Sequence, residues 1–361
     1  MENHNHWLLD SHPLSMGPEF SAQYMTPGSS MKRVIRRSLS TSKYAAIDYF
    51  DSLKVPDEVI GHIFKYIKVI DLIHAMQTCS RFYMIGLKST IWKRLNLSQI
   101  TIGQSALHRI MERKNEVMCL YGTTVFQDEI FYPPADIPDF TTLTFLDVSY
   151  LVVDNVKTMS NLLSRTCSLQ MLNMAQFTEV DDELCHYIAQ NKNLTCLNVE
   201  MCERFTINGI KEIFESCQEL IELNMGWAKF HSSAFEIACR KLPSSLQRLN
   251  VSGMAQSELT DKLVEVIAKR CPDLIEIDLS DCSEVTSAGL QTLTQLTELK
   301  KLSVCRCYGV DPFYFIHLNC LEALNLHGCV TDEGVAYLRN RLRSTLVNSS
   351  PLSMIARPTF D

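Results

Sequence analysis

The chain has 361 residues, 34 of them basic and 41 acidic, for a net charge of −7, and 46% are hydrophobic against 21% charged. This composition supports a sizeable core in two or three domains and excludes a globally disordered, collagen-like or coiled-coil chain. No apolar run approaches the ~18–20 residues of a membrane span, and the acidic balance argues against a broad nucleic-acid footprint.

Residues 1–47 carry Ser, Thr, Pro, Gly, His and Met without periodicity and read as a disordered arm. Residues 1–20 lack the apolar core of a signal peptide, and the 14 cysteines include no C-x-x-C pair. The close pair Cys305 and Cys307 has no second pair or histidine cluster at metal spacing. The expectation is a reducing compartment, thiols used as small buried groups, and no metal or cofactor. Within the arm, Lys32-Arg33-Val34-Ile35-Arg36-Arg37-Ser38-Leu39-Ser40 fits a nuclear localisation signal, a basophilic-kinase site, a cyclin-docking element or a solubilising basic stretch.

Residues 48–97 change character. Pro56-Asp57-Glu58 predicts a helix start, because proline fits the first turn and acidic side chains suit the helix dipole. Val59, Ile60, Ile63, Phe64 and Ile67 follow at helical spacing, and a second helix carries Leu72, Ile73 and Met76. A third begins at Arg81-Phe82-Tyr83 and ends near Trp92-Lys93-Arg94-Leu95. Three such short helices bury little surface, and their apolar arc is too wide for one small core. Either an external helical partner covers it or the module caps the next domain. Residues 98–140 read as a linker and irregular first repeat, with a strand near 117–121 and prolines at 133, 134 and 138.

From residue 141 to 343 the chain repeats as L-x-x-L-x-L. The series runs Leu143-Leu146-Val148, Leu169-Leu172-Met174, Leu194-Leu197-Val199, Leu220-Leu223-Met225, Leu246-Leu249-Val251, Leu274-Ile277-Leu279, Leu299-Leu302-Val304 and Leu321-Leu324-Leu326, with steps of 22–28 residues. Cys202, Cys282, Cys307 and Cys329 fall at the Asn/Cys position, and a degenerate ninth strand is expected near 342–347. In the repeat from Cys271 to Leu296, Thr286 is the expected helix cap, with Leu290, Leu293 and Leu296 packed behind the strand. One such repeat cannot close a core, whereas stacked repeats can.

The middle strand residues, Asp147, Asn173, Asn198, Asn224, Asn250, Asp278, Ser303 and Asn325, are expected on the concave face, where small polar groups also simply fit. Glu200, Glu222, Trp227, Arg248, Glu276, Asp281, Lys301, Arg306, Tyr308 and His327 lie nearby, and such mixed charges with aromatics suit a protein or peptide ligand. Asp181-Asp182-Glu183 reads as the start of a repeat helix, and no nucleophile elbow, zincin motif, P-loop or dinucleotide fingerprint occurs. Residues 344–361 form a tail whose apolar scatter suggests docking.

Leu53, Val55-Pro56-Asp57-Glu58, Ile63-Phe64, Ile67, Leu72, Cys79, Arg81-Phe82-Tyr83, Trp92 and Leu95-Asn96-Leu97 resemble the F-box. An F-box followed by cysteine-type leucine-rich repeats is similar to the substrate receptors of SCF ubiquitin ligases. Asp278-Leu279-Ser280-Asp281, Arg306-Cys307-Tyr308 and the tail Ile355-Ala356-Arg357-Pro358-Thr359 extend the resemblance over about residues 50–360. It implies an α+β chain, a three-helix F-box and then a curved α/β solenoid with a parallel concave sheet across which the tail docks. It implies a non-catalytic subunit without cofactor, in nucleus and cytoplasm, that holds phosphorylated cell-cycle regulators such as cyclin-dependent-kinase inhibitors for ubiquitination, with no nucleic-acid or membrane partner. Leu53, Pro56, Ile63, Phe64, Ile67, Leu72, Phe82 and Trp92 would contact the SKP adaptor, which bridges to the cullin-RING ligase. Asp281, Arg306, Tyr308 and Leu352 would dock a cyclin-kinase regulatory subunit. The chain departs from the family at Phe82 (usually Trp), Val55, Leu352 (aromatic in the family) and Ala255-Gln256, where an arginine is expected. A scaffold without a ligase role, and an F-box receptor for an unrelated substrate, remain as alternatives.

Overall fold

The computed structural model describes residues 53–127, 140–155, 157–231, 233–254, 259–318, 320–350 and 353–358. The expected arm 1–47 with its basic cluster, the prolines at 133, 134 and 138, Ala255, Gln256, Leu352 and Thr359 lie outside these residues. The chain divides into two compact units, Met1–Leu143 with Leu151–Thr158, and Thr144–Tyr150 with Met159–Asp361.

The first unit opens with three short helices, α1 (Asp57–Phe64), α2 (Val69–Thr78) and α3 (Ser80–Gly86). Pro56 stands at the N-cap of α1 with Asp57 and Glu58 in its first turn. The thiol of Cys79 accepts from the Phe82 N–H and so starts α3 directly after α2. Ile60, Phe64, Leu72, Ile73, Met76 and Ile85 make the core of the module. Trp92 closes it: its Nε1–H donates to the Gly86 carbonyl at 2.7 Å, the Arg113 guanidinium lies 4.5 Å over its ring, and Asn115 Nδ2 donates to its carbonyl at 2.6 Å.

Two repeat strands lie in this unit as well. β1 (Arg94–Asn96) pairs in parallel with β3 (Val117–Cys119), with Leu95 beside Met118. A separate parallel sheet joins β2 (Thr101–Gly103), β4 (Thr124–Phe126) and β6 (Val152–Val153), and α4 (Gln104–Met111) follows β2. The repeats thus begin inside the F-box resemblance, at Leu95-Asn96-Leu97, earlier than the leucine spacing from residue 143 suggests. The expected strand near 117–121 is present as β3, while α4 and the small sheet are additions.

In the second unit β5 (Phe145–Asp147) and β7 (Met171–Asn173) are followed by β8 (Cys196–Asn198), β9 (Glu222–Asn224), β10 (Arg248–Asn250), β11 (Glu276–Asp278), β12 (Lys301–Ser303), β13 (Ala323–Asn325) and β14 (Leu346–Val347). They hydrogen-bond in chain order, all parallel, and β14 is the degenerate strand expected near 342–347. Leu172, Leu197, Leu223, Leu249, Ile277, Leu302 and Leu324 stand side by side in this register and are buried. The helices that follow in the chain are α5 (Lys157–Leu163), α6 (Asp182–Ala189), α7 (Ile207–Ser216), α8 (Ala234–Lys241), α9 (Asp261–Arg270), α10 (Ser287–Leu293) and α11 (Asp332–Arg341), with a 3₁₀ turn at Pro312–His317. The fold class is therefore the expected one, N-terminal helices followed by a parallel-sheet leucine-rich-repeat solenoid.

Caps set the helix starts. Asp181 accepts from Leu184 N at 2.8 Å, and Thr206, Thr286 and Thr331 accept from Gly209, Ala288 and Gly334 N–H groups. Capping also joins neighbours: Thr286 donates its N–H and hydroxyl to the Asp261 carboxylate of α9 at 2.8 and 2.6 Å. Gly289 sits against that same carboxylate, so a Cβ there would displace it.

The thiols at the Asn/Cys position each donate to a carbonyl of the preceding repeat: Cys202 to Met174 at 3.1 Å, Cys282 to Val251 at 3.4 Å, Cys307 to Leu279 at 3.1 Å and Cys329 to Cys307 at 3.1 Å. Burial pushes the Cys202, Cys282 and Cys307 thiols up to about 12, which keeps them neutral. All 14 cysteines are free, and only Cys79, Cys167 and Cys320 are exposed. A chromogenic disulfide reagent at pH 8 should therefore titrate three thiols quickly in the native chain and the rest only after denaturation. Rapid reaction of most thiols in the folded protein would contradict this packing.

Candidate functional site

Two surfaces carry the residues singled out by sequence. The first is on the helical module. Leu53, Pro56 and Ile63 are exposed, and Ile67 and Phe82 are half-buried, with Phe82 edge-on to Phe64 at 5.3 Å. Phe64, Leu72 and Trp92 are instead core residues, 5%, 2% and 1% exposed. In the free chain these three hold the module together and offer no surface to a partner. The reason is a division of α1 into two stripes. Ile60 and Phe64 face inward, while Val59 and Ile63 form an i, i+4 stripe on the outside. Tyr66 and Met84, both exposed, extend the apolar surface of the module. Tyr66 and Met84 were not singled out by sequence, and Val59 only as part of the helical pattern, although the width of the apolar arc already signalled an uncovered face.

The second surface is the sheet of the second unit and the turns that leave it. Three residues beyond β5 and each of β7 to β13 the backbone enters the left-handed region, at Tyr150, Gln176, Met201, Trp227, Gly253, Asp281, Arg306 and Gly328. The turns from Tyr150 to Arg306 are tied to the next repeat, as in Trp227 N to Ser252 O at 2.7 Å, Asp281 N to Cys305 O at 2.8 Å and Arg306 N to His327 O at 2.9 Å. The small polar ladder serves these turns. Asn224, Asn250 and Asp278 each accept, at 2.9 Å, the N–H two residues on. Asp147, Asn173, Asn198, Asn224, Asn250, Asp278 and Ser303 are buried and Asn325 is half-buried, which accords with the simpler expectation that small polar groups fit there: short side chains with an acceptor oxygen serve the turn.

Side chains at the left-handed position stand in a row. Tyr150, Met201 and Trp227 are exposed, and Gly253 leaves room for the Trp227 ring, which a Cβ would overlap. Further along the row Arg306 reaches Asp281 through both Nε and Nη2, and this bond holds the guanidinium above its ordinary value. Tyr308, two residues on, is among the most exposed aromatics of the described residues. Asp281 and Arg306 are thus brought together, while Leu352 lies outside the described residues.

On the strands, Glu222, Arg248, Glu276 and Lys301 occupy one register position on successive strands. Arg248 pairs with Glu222, and Lys301 with Glu276 at 2.7 Å. The same position on β5, β7 and β8 is Phe145, Met171 and Cys196. The tail returns to this sheet. The Ser350 carbonyl lies 3.0 Å from His327 Nε2, and seven residues later Arg357 meets Glu200 at 2.6 Å (Nη2 to Oε1) and 3.2 Å (Nε to Oε2). Arg248, Lys301, Arg306 and Arg357 are each matched to a carboxylate. Among the described residues no group of three or more His, Cys, Asp or Glu side chains is placed to hold a metal ion.

Residues 128–361 match the family described as the SKP2 LRR domain, and residues 53–98 match the F-box-like family. Among curated proteins the chain is similar to the Antagonist of mitotic exit network protein 1 of Candida albicans, 25% identical over 154 residues (38% of this chain, 23% of that protein). It is also similar to the SCF E3 ubiquitin ligase complex F-box protein pof2 of Schizosaccharomyces pombe, 23% identical over 287 residues (76% of this chain). The chain spans 23% and 56% of the length of these two relatives. Among solved structures, an internalin of Listeria monocytogenes is similar at a TM-score of 0.48 and 14% identity, covering 76% of this chain and 86% of that one.

The seating of Trp227 on Gly253 is testable. Gly253→Ala puts a methyl group where the indole lies and an L residue in the left-handed region, at a cost of about 1–2 kcal/mol. The expected result is a lower melting temperature and a change in tryptophan emission with greater access to iodide. Unaltered emission and quenching would show that the ring does not rest there.

Proposed function

Because the chain belongs to the SKP2 LRR domain family and joins that domain to an F-box-like module, we propose that it is the substrate-receptor subunit of an SCF-type ubiquitin ligase. The observation that carries this reading is the set of exposed apolar side chains on the module, Val59 and Ile63 on the outer stripe of α1 together with Tyr66 and Met84, while its core is already closed by Trp92. Such apolar surface, with Leu53 and Pro56 exposed as well, suits helices of the SKP adaptor, and through it a cullin-RING ligase. The subunit itself works by proximity. It supplies no acid, base or nucleophile, and it raises the concentration of substrate near the charged conjugating enzyme.

The substrate in this reading is a phosphorylated cell-cycle regulator such as a cyclin-dependent-kinase inhibitor, met in nucleus and cytoplasm. The pairing of Arg248, Lys301, Arg306 and Arg357 with carboxylates leaves these cations poorly suited to take a phosphate alone. That favours a composite site, in which a cyclin-kinase regulatory subunit docks at Asp281, Arg306, Tyr308 and Leu352 and supplies the charge. Exposed Tyr308 next to a two-point ion pair is the kind of anchor such an interface uses.

Co-expression with the SKP adaptor and size-exclusion chromatography tests the first part. Wild type should elute as a stoichiometric complex. Ile63→Asp with Tyr66→Asp should lose the adaptor with little change in melting temperature, since both side chains are exposed. Trp92→Ala should lose the module's fold as well, costing about 3–5 kcal/mol. A wild-type chain that runs alone and well folded would favour a free-standing scaffold.

Capture of the regulatory subunit tests the second part. Asp281→Ala or Arg306→Ala should weaken it by roughly tenfold or more, because each leaves the other charge without its partner. Indifference to both changes would favour an F-box receptor for an unrelated substrate.

A further inference from the structure

The contact of Arg357 with Glu200 joins residues 157 positions apart. Glu200 is a prepared acceptor. Its side chain is only 14% exposed, its N–H donates to Asn198 Oδ1 at 2.9 Å, and its Oε2 also accepts from Asn224 Nδ2 at 3.1 Å. A carboxylate held in this way presents both oxygens in the plane that a guanidinium fork requires.

The segment that fills it is a self-contained turn. Arg357 N donates to the Met354 carbonyl at 3.3 Å, Arg357 Nη1 donates to the Ser353 carbonyl at 2.6 Å, and Ala356 is left-handed at φ 53°. Ile355 and Ala356 are buried, whereas the Arg357 side chain keeps 29% of its surface in water. The recognised unit is therefore short: an apolar residue, a small one and an arginine, folded by its own hydrogen bonds. A separate peptide can adopt the same shape. On the strand beside Asn224, Asn250 Nδ2 is buried and has no hydrogen-bond partner among the described residues.

We propose that Glu200 and Asn224 form an arginine-accepting subsite on the sheet, filled by Arg357 of the chain itself, and that a partner peptide bearing an arginine behind apolar residues binds there by displacing the tail. The tail is then an internal competitor. Tethering gives it an effective concentration on the order of millimolar, so only a partner that gains contacts elsewhere on the sheet displaces it. This goes beyond the ligase reading and does not depend on it.

The test uses the full chain and a fluorescein-labelled hexapeptide, Ser-Met-Ile-Ala-Arg-Pro, with the sequence of residues 353–358, followed by anisotropy. Arg357→Ala should bind the peptide about tenfold or more tightly than wild type, because the subsite is vacated. Adding Glu200→Gln should abolish that gain, and a peptide with citrulline in place of arginine should not bind. Hydrogen exchange of the wild-type tail guards against a variant that fails to fold: exchange over residues 353–358 should rise when excess peptide is added. Equal binding by wild type and Arg357→Ala, binding indifferent to Glu200→Gln, or a tail unmoved by peptide would each overturn the proposal. No adaptor is present, so these outcomes leave the ligase reading standing.

Discussion

The structure depends on the way each short strand is left. A three-residue strand has too few ladder bonds to hold its place, and the chain must then turn away from the sheet to reach its helix. The left-handed residue three positions on makes that turn, and its N–H joins the next repeat. The Asn or Asp at the strand end accepts the intervening N–H. A backbone that would otherwise bury unsatisfied polar groups is thereby completed at the ends of β5 and β7 to β11, and after β12 the Ser280 hydroxyl accepts the Cys305 N–H instead, at 3.1 Å. For non-glycine residues such as Trp227, Asp281 and Arg306 the conformation is unfavourable alone. It persists because neighbours on both sides impose it.

Function inherits that geometry. Parallel strands stand about 4.8 Å apart, so side chains at equivalent positions form rows with a fixed pitch. One row sets Asp281 beside Arg306, and another sets Glu222, Arg248, Glu276 and Lys301 in alternating charge. A row of alternating pairs is nearly neutral at a distance and rich in hydrogen-bonding groups at contact. Such a surface discriminates by shape and local pairing more than by long-range attraction.

Much of this was legible in the sequence because the repeat is a one-dimensional pattern. Leu172, Leu197 and Leu223 declare their burial by spacing, and Thr286 declares a cap by preceding an apolar run. The orientation of the asparagine ladder was not legible: alternation along a strand places Asn224 outward, and only the following turn bends the backbone over it. Nor did spacing separate Phe64 from Ile63, since adjacent apolar residues on a short helix fall to opposite stripes according to where α2 and α3 pack. The small sheet of β2, β4 and β6 escaped notice because its strands are short and their repetition carries no leucine signature. The Arg357–Glu200 pair is a long-range contact, and a single sequence holds no local trace of it.

A solenoid built from nearest-neighbour contacts should come apart like a stack of coins, one end at a time. The segment from Ser350 to Arg357 alters that order. Ser350 is anchored beside β13 at His327 and Arg357 beside β8 at Glu200, so the two contacts stand at opposite ends of a run of six strands, like the ends of a strut. Peeling the last repeats away requires this strut to be released first. Loss of structure at the distal end is thus coupled to the middle of the sheet, and a force applied to the tail is borne by a salt bridge loaded in shear, not by the terminal strand unzipping bond by bond.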